Sequence, residues 1–126
     1  MSTIKVGTLL AADGSTTTQP SIPALDKRMA QAWVNFNGTG NVAIRAAYNV
    51  SSITDSATGI YLINFATTMA NANYAVTATS HRTVTWANGG IDANNYTTTN
   101  FRLENVENST GADTPTFGVQ VMGGQA

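Results

Sequence analysis

The chain contains no cysteine among its 126 residues and carries very little charge. The lack of cysteine excludes disulfide bonds, thiol catalysis and metal sites built from thiolates. Charged residues make up 10% of the chain, against about 25% in an average soluble domain, and the formal net charge is −1. Such a chain has no basic field that would attract nucleic acid or an anionic membrane surface. We therefore predict neither of these partners.

Long apolar runs are also absent. The first residues, MSTIKVGTLLAADGS, hold only a leucine pair, which is much shorter than the apolar stretch of a secretory signal. No segment approaches the roughly 20 apolar residues that a transmembrane helix needs. We expect synthesis in a cytoplasm, that of a bacterial host if the resemblance described below holds. A surface with so few charges protects poorly against association, so we predict a homo-oligomer or an assembled particle.

From Gln31 onward, the sequence follows the pattern of short β-strands separated by turns. Alternating or continuous apolar residues predict strands at 32–36, 42–48, 60–65, 74–80, 83–86, 99–106 and 117–122. The segment 60–65 is apolar on both faces, which predicts a central strand. Runs rich in Gly, Asn, Asp or Ser predict loops at 55–59, 87–95 and 108–115. We predict an all-β fold over residues 31–126, a jelly-roll-like antiparallel β-sandwich.

Residues 1–30 are predicted to be an attachment arm and linker. In TIKVGTLL (3–10), apolar and other residues alternate, which fits a short strand or an extended arm. Residues 11–20 are rich in Ser, Thr and Gly, as in a flexible linker. The one helical signal, in SIPALDKRMAQ (21–31), predicts at most one short helix of two turns. The apolar residues assigned to the assembly arm are Ile4, Val6, Leu9 and Leu10.

The segment AWVNF (32–36) holds two large aromatic side chains three positions apart. Successive side chains of a strand point to opposite faces of its sheet. If Val34 and Phe36 enter the core, Trp33 must therefore face outward. An outward tryptophan usually has a neighbouring surface that covers it. We assign Trp33 to the assembly surface together with the arm.

Residue types that carry catalysis or bind metal ions are few and scattered. His81 is the only histidine. A metal site would have no second histidine as a ligand, and a nucleophilic serine or threonine would have only His81 as its base. The acidic residues show no calcium-loop spacing, although a calcium ion held by loop carbonyls and one aspartate stays an open alternative. Glu104 and Glu107 would point to opposite faces of a strand, unlike the facing carboxylates of a glycosidase. We predict no enzyme activity, no cofactor and no metal.

Two loops, 87–98 and 107–116, are long, polar and rich in Gly or Asn. We predict that they form the distal surface, which faces the host or the solvent. An aromatic side chain beside such a loop could stack on a sugar ring, so a host surface glycan is a candidate partner. The residues assigned to this surface are Trp86, Asn88, Tyr96 and Asn108.

Residues 32–80 contain a series of motifs that occur together in one kind of phage protein. They are Ala-Trp-Val-Asn-Phe (32–36), Val-Ala-Ile-Arg (42–45), Asn-Val-Ser-Ser-Ile-Thr (49–54), an Asp/Gly turn (55–59), a strand ending in Asn-Phe (60–65) and Met-Ala-Asn-Ala-Asn-Tyr-Ala-Val (69–76). The segment resembles a domain near the C-termini of tail-fibre and other virion proteins of tailed bacteriophages, often marine or cyanobacterial phages. The resemblance implies a virion component with a β-sandwich, threefold assembly and no catalytic residues.

Three functions follow as hypotheses. The first is a tail-fibre or spike protein on the virion surface, a trimer that contacts other virion proteins and the host. The second is a capsid decoration (cement) protein that stabilises the phage head, because only a short segment separates the arm from the domain where fibre proteins usually carry a long shaft. The third, from another class, is a free carbohydrate-binding module or a fragment of a glycan hydrolase.

Overall fold

A computed structural model describes residues 2–16, 20, 22–81, 90–107 and 109–125. In this part of the chain, one helical turn precedes nine β-strands, which form two antiparallel sheets packed face to face. The all-β sandwich predicted from the sequence is confirmed.

The elements have the following bounds. In chain order they are α1 (Pro23–Asp26), β1 (Ala30–Asn37), β2 (Ala43–Tyr48), β3 (Val50–Ala57), β4 (Ile60–Phe65), β5 (Tyr74–Ser80), β6 (Ile91–Asn94), β7 (Asn100–Glu107), β8 (Thr110–Gly111) and β9 (Phe117–Gly123). The first sheet has the order β2-β1-β9-β5, and the second has the order β3-β4-β7-β6, with the short β8 paired to β7.

One residue, Asn49, carries the chain from the first sheet to the second. It has a φ of 52°, a left-handed conformation that asparagine tolerates better than most residues. Its side chain donates a hydrogen bond to the carbonyl of Gln31 at 3.1 Å and accepts one from the backbone N–H of Thr67 at 2.7 Å. These bonds tie the crossover between β2 and β3 to β1 on one side and to the segment after β4 on the other.

The core lies between the two sheets and is built from alternate positions of the strands. The buried apolar residues are Ala32, Val34, Phe36, Tyr61, Ile63, Phe65, Met69, Tyr74, Phe101, Leu103, Phe117, Val119 and Val121. At one end, the rings of Phe36 and Phe117 stack with centroids 4.8 Å apart, and Tyr61 meets both edge-on. This cluster joins β1, β4 and β9, and therefore ties the sheets together.

Most of the predicted strands are present. The strands predicted at 60–65 and 74–80 have the observed bounds, and those at 32–36, 42–48, 99–106 and 117–122 coincide with β1, β2, β7 and β9 to within two residues at each end. The predicted central strand, β4, lies between β3 and β7. The strand predicted at 83–86 lies outside the described residues.

Three loop predictions were wrong in part, one of them only by the two-residue strand β8 (Thr110–Gly111) within the loop predicted at 108–115. Residues 55–57 belong to β3 and not to the loop predicted at 55–59, and 91–94 form β6 within the loop predicted at 87–95. Both are edge strands, whose side chains need little burial and so give no apolar alternation. Their strand geometry comes from backbone pairing with β4 and β7, which the sequence pattern does not display.

The helix α1 is a single turn, within the predicted limit of two. The side-chain amide of Gln31 donates a hydrogen bond to the carbonyl of Asp26 at 2.8 Å, and the side chain of Gln125 donates to the same oxygen. The start of β1 and the segment after β9, which lie side by side at one end of the first sheet, therefore both hold this turn.

Candidate assembly surfaces

The predicted arm is extended and makes no strand pairing with either sheet among the described residues. Its apolar side chains are well exposed: Ile4 by 87%, Val6 by 64%, Leu9 by 59% and Leu10 by 42%. A turn follows, in which the N–H of Gly14 donates to the carbonyl of Ala11 at 2.8 Å. The expectation of a short strand is not met among residues 2–10, and the role of this segment as an arm stays a prediction.

A shallow apolar hollow lies where the arm approaches the helical turn. Its volume is about 300 Å³, and its walls are formed by Leu9, Pro20, Ile22, Leu25 and Met29. A second hollow, of about 250 Å³, shares Met29 and is completed by Ala30, Trp33 and Tyr48. An apolar strip therefore continues from the arm to the outer face of the first sheet.

Trp33 lies on that outer face, as the alternation predicts. Val34 and Phe36 are buried, whereas 41% of Trp33 is exposed. The register of the sheet places Tyr48 of β2 on one side of Trp33 and Gln120 of β9 on the other. The outer face thus carries the aromatic pair Trp33 and Tyr48, with the side-chain amide of Gln120 next to Trp33.

A groove of about 320 Å³ crosses this face next to Trp33. Gly118 of β9 lies at its floor, with Asn35 of β1 and Thr79 of β5 as its cross-strand neighbours. Trp33 and Gln120 complete its walls. The side chains around the groove carry no charge, so its chemistry is limited to van der Waals contact and neutral hydrogen bonding.

The residues predicted for the distal surface do not all lie at one end of the sandwich. Gly90 accepts a hydrogen bond from the N–H of Val106, near the end of β7 where β8 also pairs. Tyr96 lies in the β6–β7 connection, at the opposite end of β7. Trp86, Asn88 and Asn108 lie outside the described residues, and the role of all four in host contact stays a prediction.

The ring of Tyr96 packs against other aromatic rings, whereas an aromatic side chain that stacks on a sugar needs an open face. Its ring meets Tyr74 edge-on at 5.1 Å and stacks on Phe101 at 6.3 Å. Burial raises the pKa of Tyr96 above its ordinary value. Part of this ring therefore covers the end of the core, and a ligand could contact only the 38% of Tyr96 that is exposed.

At the other end of the core, a network of hydrogen bonds links Asp113 to the buried Tyr61. The hydroxyl of Tyr61 lies 2.7 Å from Asp113 Oδ1 and 2.9 Å from the carbonyl of Gly38. The same carboxylate oxygen accepts a hydrogen bond from the N–H of Gly59 at 2.7 Å. Burial, with the bond to Asp113, raises the pKa of Tyr61 far above its ordinary range. This network joins the β1–β2, β3–β4 and β8–β9 connections, so we assign it a role in stabilising the fold.

An open hollow of about 510 Å³ lies beside Asn49. Its lining consists of Gln, Asn, Thr, Ala, Met, Gly and Tyr residues, without a charged side chain. Within residues 2–16, 20, 22–81, 90–107 and 109–125, no three His, Asp or Glu residues come together as metal ligands. The described helix is also too short to cross a bilayer. The hollows on the described surface offer apolar and neutral polar contacts.

Comparison of the chain with protein-family models, with curated proteins and with solved structures finds no match.

The fold should lose stability at alkaline pH. The hydroxyl of Tyr74 bonds to the carbonyl of Thr97 at 2.9 Å, and burial raises its pKa to about 12, while Tyr61 shifts further in the same direction. Because an unfolded tyrosine has a pKa of about 10, the stabilisation is complete below pH ~10 and is lost as pH rises through ~12. Urea unfolding between pH ~8 and ~12 should show this decline.

Tyr74→Phe should flatten that decline, since it removes one of the three tyrosines whose pKa is raised. Tyr48→Phe is the matched control, because Tyr48 is an exposed ring on β2. An unchanged pH dependence in Tyr74→Phe would contradict the assignment.

Proposed function

We propose that the protein is a structural component of a tailed-bacteriophage particle, attached to the particle surface through its extended arm. The observation that carries the proposal is the contrast between the two parts of the chain. The sandwich has a closed apolar core, while the arm leaves Ile4, Val6, Leu9 and Leu10 exposed. An extended segment with apolar side chains is suited to lie in a groove or along a sheet edge of another protein.

The energy available to such an arm is considerable. Full burial of one aliphatic side chain contributes about 1.5–3 kcal/mol. Four such side chains, already partly covered, would contribute on the order of 5–10 kcal/mol before the cost of ordering the arm. This is enough to hold a small protein on a particle that offers a matching groove, provided that the backbone amides of the arm and the ammonium group of Lys5 keep hydrogen-bond partners there.

Among virion proteins, a surface appendage of tail-fibre or spike type is the first candidate. The motifs in residues 32–80 support it, because they resemble the terminal domain of such proteins. In this reading the arm joins other virion proteins, and the loops around Gly90 or Tyr96 are free for host contact. The trimeric state that the resemblance implies is part of the same proposal.

A capsid decoration protein is the second candidate, and one feature favours it. Between the arm and β1, the described residues form only a turn and the helical turn α1. This segment supplies no shaft that would hold the sandwich away from the particle. A sandwich held close to its attachment point is suited to clamp neighbouring capsid subunits.

Arm variants test the attachment. Ile4→Ser with Val6→Ser should leave the sandwich folded, because both side chains are exposed and remote from the core. Its occupancy in purified particles, measured by quantitative mass spectrometry, should fall at least tenfold, since each lost contact removes on the order of 1 kcal/mol or more. Thr3→Ser with Thr8→Ser is the matched control, which changes the same arm without removing its apolar side chains.

Normal occupancy of the Ile4→Ser, Val6→Ser variant would contradict attachment through the arm. The number of copies per particle then separates the two candidates: hundreds indicate decoration, and a few dozen or fewer indicate a tail appendage. Absence of the protein from particles altogether would contradict both.

A further inference from the structure

We propose that the outer face of the first sheet pairs with the same face of a second copy of the chain. In this pair, Trp33 of each copy sits in the groove above Gly118 of the other copy. The proposal goes beyond the virion role and does not depend on it, because it concerns a different surface from the arm.

The glycine at position 118 is the first reason. Gly118 lies in β9, a central strand between β1 and β5, and its φ is outside the left-handed region. A Cβ there would approach only the hydroxyl of Thr79, at 3.1 Å, and that side chain can rotate. Glycine weakens a strand interior and often marks a place where another chain or a ligand comes close. The backbone gives no other reason for a glycine here.

The size of the resulting groove is the second reason. It has a volume of about 320 Å³. A cavity of roughly 150 Å³ in another protein takes up benzene, so this groove has room for an indole ring. Its walls offer the aromatic face of Trp33 and the short side chains of Asn35 and Thr79. An indole in the groove would therefore contact a second indole along one side.

The placement of Trp33 and the groove on one face determines the symmetry. Trp33 pairs with Gln120, and Asn35, two residues further along β1, pairs with Gly118. The partly exposed ring of Trp33 and the groove are thus neighbours on the same face of the first sheet. When two such surfaces face each other, a two-fold axis matches ring to groove in both directions. A trimer would need a different surface.

The charge and composition of the face favour a second copy as its occupant. Identical faces bring identical charges together, so a face that pairs with itself must avoid them at its centre. The residues that line the groove carry none, and Arg45, which lies beside the groove wall at Asn35, is held by Asn35 Oδ1 and by the carbonyl of Pro115. The rim near Trp33 holds Met29 and Tyr48. Aromatic and methionine side chains without charge are typical of the centre of a protein interface.

The test is the self-association of the full chain by sedimentation velocity. The wild type should form dimers, and Trp33→Ala and Gly118→Val should each dissociate them. Loss of one hot-spot contact weakens binding by roughly 30-fold, and a two-fold pair loses the contact twice, so the dissociation constant should rise by roughly three orders of magnitude. Leu62→Ala, on the outer face of the second sheet, is the control and should leave the dimer unchanged.

A mixture of the two variants gives the sharper result. Trp33→Ala lacks the ring and one wall of the groove but keeps the floor at Gly118 and the walls at Asn35 and Thr79, whereas Gly118→Val keeps the ring and has a filled groove. A dimer of one with the other retains one of the two contacts, so the mixture should form heterodimers at concentrations where each variant alone is monomeric. Far-ultraviolet circular dichroism checks that both variants fold. Gly118→Ser replaces Gly118→Val if the larger side chain disturbs the sheet.

Three results would overturn the proposal. The first is a wild type that stays monomeric at all accessible concentrations. The second is a dimer that neither variant weakens, since it would use another surface. The third is a mixture that shows no heterodimer although both variants are folded.

Discussion

Replacement of Phe36 by alanine is expected to lower the free energy of unfolding by about 3–5 kcal/mol. Phe36 is fully buried, stacks on Phe117 at 4.8 Å and meets Tyr61 edge-on at 5.3 Å. The substitution would remove both ring contacts and leave a cavity that the rigid strands around it cannot close. Because small domains have a total stability of about 5–15 kcal/mol, the loss should be visible as a large fall in the midpoint of urea unfolding.

Phe36→Leu is the graded control for this experiment. It keeps most of the buried volume and loses the stacking, so a cost of about 1–2 kcal/mol is expected. Equal unfolding midpoints for Phe36→Ala and the wild type would mean that this cluster does not join the two sheets as described.

Replacement of Gly59 by alanine should have a comparable effect for a different reason. Gly59 has a φ of +72°, and a Cβ there would lie 2.4 Å from the carbonyl oxygen of Asn105 and 2.5 Å from the backbone N of Ala112. Both contacts are with backbone atoms, which cannot rotate away. The left-handed conformation costs about 1–2 kcal/mol for a residue with a side chain. With displacement of β7 from the β3–β4 turn, a total loss of about 3–5 kcal/mol is expected.

Gly40→Ala separates the two contributions. Gly40 has a φ of +60°, also left-handed, but nothing lies within 4 Å of a Cβ built there. This variant should lose only the conformational part, about 1–2 kcal/mol. If the two alanine variants have the same urea midpoint, crowding between Gly59 and the β7–β8 region contributes nothing, and the close packing described there is wrong.

The strands whose bounds the sequence predicts best are those with turn residues next to an apolar pattern, whether burial is high as in β4 or low as in β5. In β4 and β5, apolar residues and flanking turn residues mark the bounds directly, and these bounds were predicted without error. The outward position of Trp33 also followed from alternation alone. In β3, Ser, Thr and Asp occupy a long edge strand with little burial, so the pattern that signals a strand is weak there.

The candidate surfaces divide in the same way. The apolar side chains assigned to the arm are visible in the sequence, because Ile4, Val6 and Leu10 alternate with other residues within eight consecutive positions, and the structure leaves them exposed. Residues near Gly90 and Tyr96, predicted as parts of one distal surface, lie toward opposite ends of β7 because antiparallel pairing reverses the chain. The groove above Gly118 gave no sequence signal, because its walls come from β1, β5 and β9, which are distant along the chain.

The amino-acid sequence by itself determined the all-β class, most of the strands and the outward position of Trp33. These depend on local periodicity and on turn residues, which act over a few neighbouring positions. Only the tertiary structure decided which strands are edges, which connections share an end and that Trp33 stands beside a groove. Those features depend on pairing between segments far apart in the chain, and the free energy of that pairing is spread over backbone hydrogen bonds that nearly every residue type can make.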